Sequence, residues 1–160
     1  YNMGGSIPSL PTSIVDCVLI SSGMSGNIPS LNGLPKLKQY RVGYNSLTGT
    51  IPSVSGNPLL ENFKAHYNQL TGNIPDLSNC PNITFFDVDN NQLTGYDGGL
   101  VGTNIRSAVN TILSECVATG VSGPRRTINV GGTGNAAPTG QGITDKNTLI
   151  SRSWSVTVAP

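Results

Sequence analysis

Asn68-Gln69-Leu70-Thr71-Gly72-Asn73-Ile74-Pro75 decides the fold of this chain, because it recurs. Asn45-Ser46-Leu47-Thr48-Gly49-Thr50-Ile51-Pro52 is a second copy, and Asn91-Gln92-Leu93-Thr94-Gly95 opens a third before departing from it. Ser22-Gly23-Met24-Ser25-Gly26-Asn27-Ile28-Pro29 is a degenerate earlier copy, and Gly5-Ser6-Ile7-Pro8 is the tail of one more. The glycines fall at 26, 49, 72 and 95, a period of 23, while the first step, from Gly5 to Gly26, is 21. A fixed period in this range is the signature of a solenoid, in which one coil cannot bury its apolar face alone and stacked coils build a continuous core.

The residues upstream of each phrase repeat as well. Leu60-x-x-Phe63-x-Ala65-x-x-Asn68-x-Leu70 aligns with Leu37-x-x-Tyr40-x-Val42-x-x-Asn45-x-Leu47, with Ile83-x-x-Phe86-x-Val88-x-x-Asn91-x-Leu93 and with Ile14-x-x-Cys17-x-Leu19-x-x-Ser22-x-Met24. Phe63 and Ala65 alternate with Lys64 and His66, which places the two pairs on opposite faces of a short strand. Parallel pairing of successive strands at about 4.8 Å follows. Asn45, Asn68 and Asn91 end their strands, where a side-chain amide can bond the backbone groups that a turn leaves unpaired, so stacked copies predict a ladder. Ser22 stands in for Asn in the first full copy. Gly72 suits a backbone with positive φ. Pro75 fixes φ and removes a donor, so the chain leaves the sheet there.

This frame, L-x-x-L-x-L-x-x-N-x-L-T-G-x-I-P, resembles leucine-rich repeats of the variant common in plant receptor ectodomains and also found in bacterial and phage proteins. The resemblance covers about residues 4 to 98. It implies an α/β, right-handed solenoid with a parallel sheet on its concave face. The expected strands lie near 17–20, 39–43, 62–66 and 85–89, and the outer halves of the coils are turns.

After Gly95 the rhythm changes. Ile105, Ala108, Val109, Ile112, Leu113 and Cys116 recur at helical spacing, with Thr103 or Asn104 as a cap and Gly120 as a stop. Thr127 to Val130 reads as a strand, and Gly131 to Gly142 as a glycine-rich loop. Thr144 can cap a short helix to about Arg152, with Leu149 and Ile150 inward. Trp154 to Val158 is an alternating strand. The chain thus divides into repeats at 1–98, of period 21–23, and two helix-bearing capping coils of the same solenoid at 99–160. The stretch Gly134 to Leu149 resembles the closing segment of repeat proteins in Bacteroidetes-like bacteria and their phages.

Composition narrows the function. The charged fraction is 11%, well under the ordinary quarter or so, with Gly, Ser, Thr and Asn in its place. This suits a turn-rich coil that is extracellular or on a virion surface. A formal charge of +1 leaves no basic footprint for nucleic acid. No apolar run approaches the roughly 18 residues of a membrane-spanning helix, so no membrane insertion is expected. Tyr1 begins the sequence with neither an initiator Met nor a signal peptide, which points to a processed, truncated or partial chain.

Cys17, Cys80 and Cys116 are an odd set without a C-x-x-C. Cys17 sits at an inward strand position as a small core residue. Whether Cys80 and Cys116 pair is open at this level. The paired cysteines that usually flank the repeats of plant receptors and inhibitors of this class are absent. Asn82-Ile83-Thr84 fits a glycosylation sequon, a pattern that also arises by chance.

The outward strand positions are Asp16, Val18, Ile20 and Ser21; Gln39, Arg41, Gly43 and Tyr44; Asn62, Lys64, His66 and Tyr67; and Phe85, Asp87, Asp89 and Asn90. Arg41, Tyr44, Lys64, His66, Tyr67, Asp87 and Asp89 are the candidate ligand-binding residues. Tyrosine offers large contact area at low entropic cost, and the charged neighbours suit a recognition surface. His66 is the only histidine, so a catalytic or metal role needs partners from elsewhere. Asp87 and Asp89 share a face, but an open sheet gives little burial to shift a carboxyl pKa. Asp87-x-Asp89-x-Asn91 starts like a calcium loop, yet Gln92 and Gly98 stand where Gly and Glu are needed. Gly132-x-Gly134-x-x-Ala137 echoes a dinucleotide fingerprint, but Pro138 follows in place of a helix. No Ser-His-Asp or Cys-His arrangement is supported. The expectation is therefore no enzyme, no catalytic residue, no metal and no cofactor.

The leading expectation is a non-enzymatic binding or adhesion module of a phage particle or bacterial surface protein. Its partner would be a host-surface protein or glycan. The alternatives are a structural decoration or spacer subunit of a virion, and a secreted plant-type receptor or inhibitor. Residues 1–20 show no amphipathic cover before Cys17 and Leu19, so an upstream domain or another virion subunit is expected against that edge.

Overall fold

Alternation turns Tyr40 and Val42 into the protein and Gln39 and Arg41 away from its core, and stacking that pattern makes the fold. The computed structural model describes residues 4–77, 79–96, 126–130, 147, 150 and 154–158. Ten strands run through them: β1 (Asp16–Val18), β2 (Ser25–Asn27), β3 (Gln39–Arg41), β4 (Ser46–Thr48), β5 (Asn62–Lys64), β6 (Thr71–Ile74), β7 (Phe85–Asp87), β8 (Gln92–Tyr96), β9 (Arg126–Val130) and β10 (Trp154–Val158). The main sheet has six strands in the order β1-β3-β5-β7-β9-β10, and every pairing is parallel. The chain is a parallel-strand solenoid.

The register follows the repeat. Cys17 pairs with Tyr40, Tyr40 with Phe63, and Phe63 with Phe86, each one period apart. These four side chains are buried, and the last three stack at 5.6 Å and 5.5 Å between ring centroids. Leu37, Leu60, Leu47, Leu70 and Leu93 fill the same core. Stacking the same aromatic position in successive coils buries large apolar area in a chain with few aromatics.

A second ladder runs along another side of the coils. Strand β2 pairs with β4 and β6 with β8, both parallel, and the bridges Ser6 to Ser25 and Thr50 to Thr71 lie along the same line. The sequence reading places no strand in these segments; Ser25-Gly26-Asn27 has no apolar alternation, and in the fold all three residues are exposed. Stacking of coils pairs them instead, through bonds such as Ser46 N–H to the Met24 carbonyl and Thr71 N–H to the Gly49 carbonyl, both 2.8 Å. Gly49 and Gly72 both take φ of +73° here, a conformation that costs a residue with a Cβ.

Between the two ladders run the asparagines. Asn68 is buried; its Oδ1 accepts from Leu47 N–H, and its Nδ2 donates to the Val42, Ala65 and His66 carbonyls. Asn91 does the same one coil on, accepting from Leu70 N–H and donating to the Ala65, Val88 and Asp89 carbonyls. Asn45 accepts from Ser22 and Met24 N–H and donates to Leu19, Val42 and Gly43. Each amide thus ties its own turn to the preceding coil.

A further polar rung escapes the sequence reading. Asn57 is fully buried and donates to the Leu31 and Leu34 carbonyls. One period later stands Cys80, a free buried thiol whose Sγ–H donates to the Val54 carbonyl at 3.4 Å. Cys80 therefore does a weaker version of the amide's work, and forms no disulfide. Cys116 lies outside the described residues.

Several expectations need correcting. Strands β1, β3, β5 and β7 are three residues each, shorter than anticipated, because the left-handed residues Ser21, Tyr44, Tyr67 and Asn90 kink each chain soon after. The described residues are almost all strand and turn, so they do not carry the α/β character expected. Of the expected helices, only Asn147 and Ile150 are described, both helical. Ile150 is 49% exposed rather than inward. The helix expected at 105–116 and the boundary at 98/99 lie outside the described residues.

Candidate functional site

The outward face of the main sheet holds the candidate residues. Two chain features shape it. Parallel strands place residues one period apart side by side, and a left-handed residue follows three positions after each of β1, β3, β5 and β7. Tyr44 and Tyr67 have φ of 55° and 50°, and Ser21 and Asn90 occupy the same conformation on the flanking coils. For a bulky residue this conformation is a true outlier. It aims both rings away from the core: Tyr44 is 53% exposed and Tyr67 48%. The rings stack at 4.7 Å with 8° between their planes.

His66 lies beneath this pair. Its ring meets Tyr44 edge-on at 5.0 Å and Tyr67 at 6.0 Å. It lies over Gly43, where an added Cβ would come within 2.7 Å of the imidazole Cε1. Gly43 is accordingly the one outward position that is buried, since the His66 ring covers it. The imidazole is held on three sides and points toward the next strand.

There it meets the two carboxylates. His66 Nδ1 is 3.3 Å from Asp87 Oδ2, though without hydrogen-bond alignment. One donor atom each from His66, Asp87 and Asp89 lies within 4.8 Å of the others. Asp89 accepts from the Asn90 amide at 2.9 Å through Oδ2. Burial pushes the Asp87 carboxyl above its ordinary value; His66 opposes this, the Asp89 charge adds to it, and the Asp89 backbone N–H and Lys64 oppose it more weakly. This trio can neutralise a positive charge or ligate a cation.

Lys64 is spent differently. Its ammonium sits 5.0 Å from the centre of the Phe85 ring, a cation–π contact. Arg41 is half-buried, with an Nε that lacks a hydrogen-bond partner. The structure therefore gathers Tyr44, Tyr67, His66, Asp87 and Asp89 into one patch and sets Lys64 against Phe85. The sequence reading weighs His66 and the aspartates separately. The signal that joins them was present: His66 and Asp89 stand one 23-residue period apart.

A second concavity lies beside β1. It encloses about 420 Å³ and is lined mainly by apolar side chains, among them Ile7, Leu10, Ile14, Leu19 and Met24. No helix among the described residues is long and apolar enough to cross a membrane.

No protein-family model matches this chain, and no curated protein matches it either.

Proposed function

We propose that the protein is a non-enzymatic binding module that recognises a macromolecular partner through the outward face of its main sheet. The observation that carries this is the Tyr44–Tyr67 stack: two large exposed rings held on strained backbone. The left-handed conformation recurs at Ser21 and Asn90 and so belongs to the coil; what is particular to this patch is that two tyrosines occupy it and are turned to solvent. Stacking occupies one face of each ring, so the outer faces, edges and hydroxyls remain for contact.

The repeat frame supports reading the module as a right-handed leucine-rich repeat, with this sheet face concave and residues 99–160 as helix-bearing capping coils. The low charge and the repeat resemblance support display on a phage virion or bacterial surface, with a host-surface protein or glycan as partner. The test is binding to arrayed host-surface proteins and glycans by the intact chain and by a Tyr44→Ala/Tyr67→Ala variant. Loss of binding at unchanged fold supports the reading; equal binding by the variant moves the site elsewhere.

A second reading, a structural spacer or decoration subunit, has its own observation. Strand β1 has one free edge among the described residues, beside the apolar concavity. An open parallel edge of this kind pairs readily with another chain.

A further inference from the structure

We infer that His66, Asp87 and Asp89 form a binding site for a divalent transition metal, with zinc the best match. The inference concerns chemistry separate from partner recognition and stands without it. Three buried polar atoms in this one place lack a hydrogen-bond partner: His66 Nδ1, Asp87 Oδ1 and Asp89 Oδ1. Buried polar atoms are almost always satisfied, and several orphans side by side point to an ion that all of them share.

The alternative is a simple ion pair between protonated His66 and Asp87. It accounts for the His66 Nδ1 to Asp87 Oδ2 approach but leaves Asp89 Oδ1, whose companion Oδ2 is taken by Asn90, without the partner that a shared ion supplies. Among the described residues no lysine or arginine forms an ion pair with either aspartate, and the Lys64 ammonium is placed over Phe85. Two adjacent half-buried carboxylates thus face one imidazole.

The distances suit zinc. Zinc–nitrogen and zinc–oxygen bonds of about 2.0–2.1 Å in a tetrahedron separate neighbouring ligand atoms by about 3.3 Å. His66 Nδ1 and Asp87 Oδ2 are 3.3 Å apart, and the whole donor set lies within 4.8 Å. Side-chain rotation of Asp89 closes the remainder. One nitrogen and two oxygen donors select a borderline metal such as zinc over calcium or magnesium, which take oxygen alone. Three protein ligands leave a fourth position for water or another ligand atom. Gly43 contributes by positioning: it leaves room for the ring that presents Nδ1.

The test uses the intact 160-residue chain, stripped with a chelator and titrated with zinc chloride by calorimetry, and with cobalt chloride by visible absorption. The expected result is one metal per chain, a tetrahedral cobalt spectrum and tighter binding of zinc than of calcium. Because His66 is the only histidine, its ring nitrogen NMR signals report ligation directly, and zinc should shift Nδ1. Asp89→Asn and His66→Gln should each weaken binding by about tenfold or more, at least as much as loss of an outer-shell partner does. No binding at millimolar zinc, an unshifted Nδ1 signal, a preference for calcium, or unchanged affinity in folded variants would overturn the inference. Should a variant unfold, the Nδ1 shift in the unaltered chain decides the matter.

Discussion

Tyr44 and Tyr67 stack ring on ring at 4.7 Å, from backbones that share left-handed φ values of 55° and 50°. The two residues are one period apart, so parallel strand spacing of about 4.8 Å brings them to stacking distance without further adjustment. The same conformation on both coils keeps the planes parallel. A repeat thereby turns one strained residue into an ordered aromatic pair.

This pair should behave cooperatively. Tyr67→Ala keeps the backbone and removes the stack, at a cost of about 0.5–1.5 kcal/mol in urea unfolding. Adding Tyr44→Ala to that variant should then cost less than Tyr44→Ala alone, because the shared contact is already gone. Strictly additive losses would show that the rings act independently.

The Asn68 amide should be worth more than its size suggests. Asn68→Ala strands the Leu47 N–H and removes one of the two donors to each of the Val42, Ala65 and His66 carbonyls, and should cost on the order of 1–3 kcal/mol. Asn68→Asp should be no milder, since a carboxylate cannot donate to those carbonyls. A change within about 0.5 kcal/mol for the alanine variant would mean that water replaces the amide.

Two glycines separate backbone strain from crowding. Gly33 has φ of +80° and open space where a Cβ would stand, whereas Gly49 has φ of +73° and Asn27 Oδ1 at 2.6 Å. Gly33→Ala should cost about 1–2 kcal/mol for the left-handed backbone alone. Gly49→Ala should cost more, because Asn27 must also move. Equal losses by chemical denaturation would show that Asn27 rotates freely.

Stability should fall at alkaline pH. Burial, and then Asp76, push the Cys80 thiol up to about 11 from its ordinary 9.0. Burial, and then Cys17, also raise the Tyr40 phenol above its ordinary 10.0. Both groups are held neutral in the fold and ionise more easily in the unfolded chain. Their contribution is fully present below the unfolded pKa and is lost as pH rises through the folded one. Between pH about 9 and 11 Cys80 should account for a loss on the order of 2 kcal/mol, with Tyr40 adding to it above pH about 10. Cys80→Ser should flatten the lower part of that decline in urea midpoints taken across this range. An unchanged slope in the variant would show that the thiol is not the group responsible.

Much of the fold was legible because a solenoid is local chemistry repeated. The period of 23 sets which residues are neighbours, and alternation around Phe63 and Ala65 sets which face they take. The asparagine ladder was legible for the same reason, since an amide at a strand end has a limited choice of partners. The strands β2, β4, β6 and β8 were not legible. Strand β2 carries no apolar residue and the others carry too few for a strand pattern, such as Leu47 alone in β4, so it is the backbone of the adjacent coil that pairs them. Cys80 was equally opaque: its role appears only beside Asn57, whose amide bonds it partly reproduces.

The sequence by itself determined the coil, its inward and outward sides and the surface on which Tyr44, Tyr67, His66, Asp87 and Asp89 lie. The tertiary structure decided what those residues do to one another. Left-handed backbone just past the strands aims the tyrosines outward, and Gly43 leaves the space that the His66 ring fills. The ring then turns Nδ1 toward Asp87, close to Asp89. The reason is physical: a period specifies which backbones are adjacent, but side-chain contacts depend on rotamer, backbone twist and the room left by a neighbour, and those exist only once the coils are stacked.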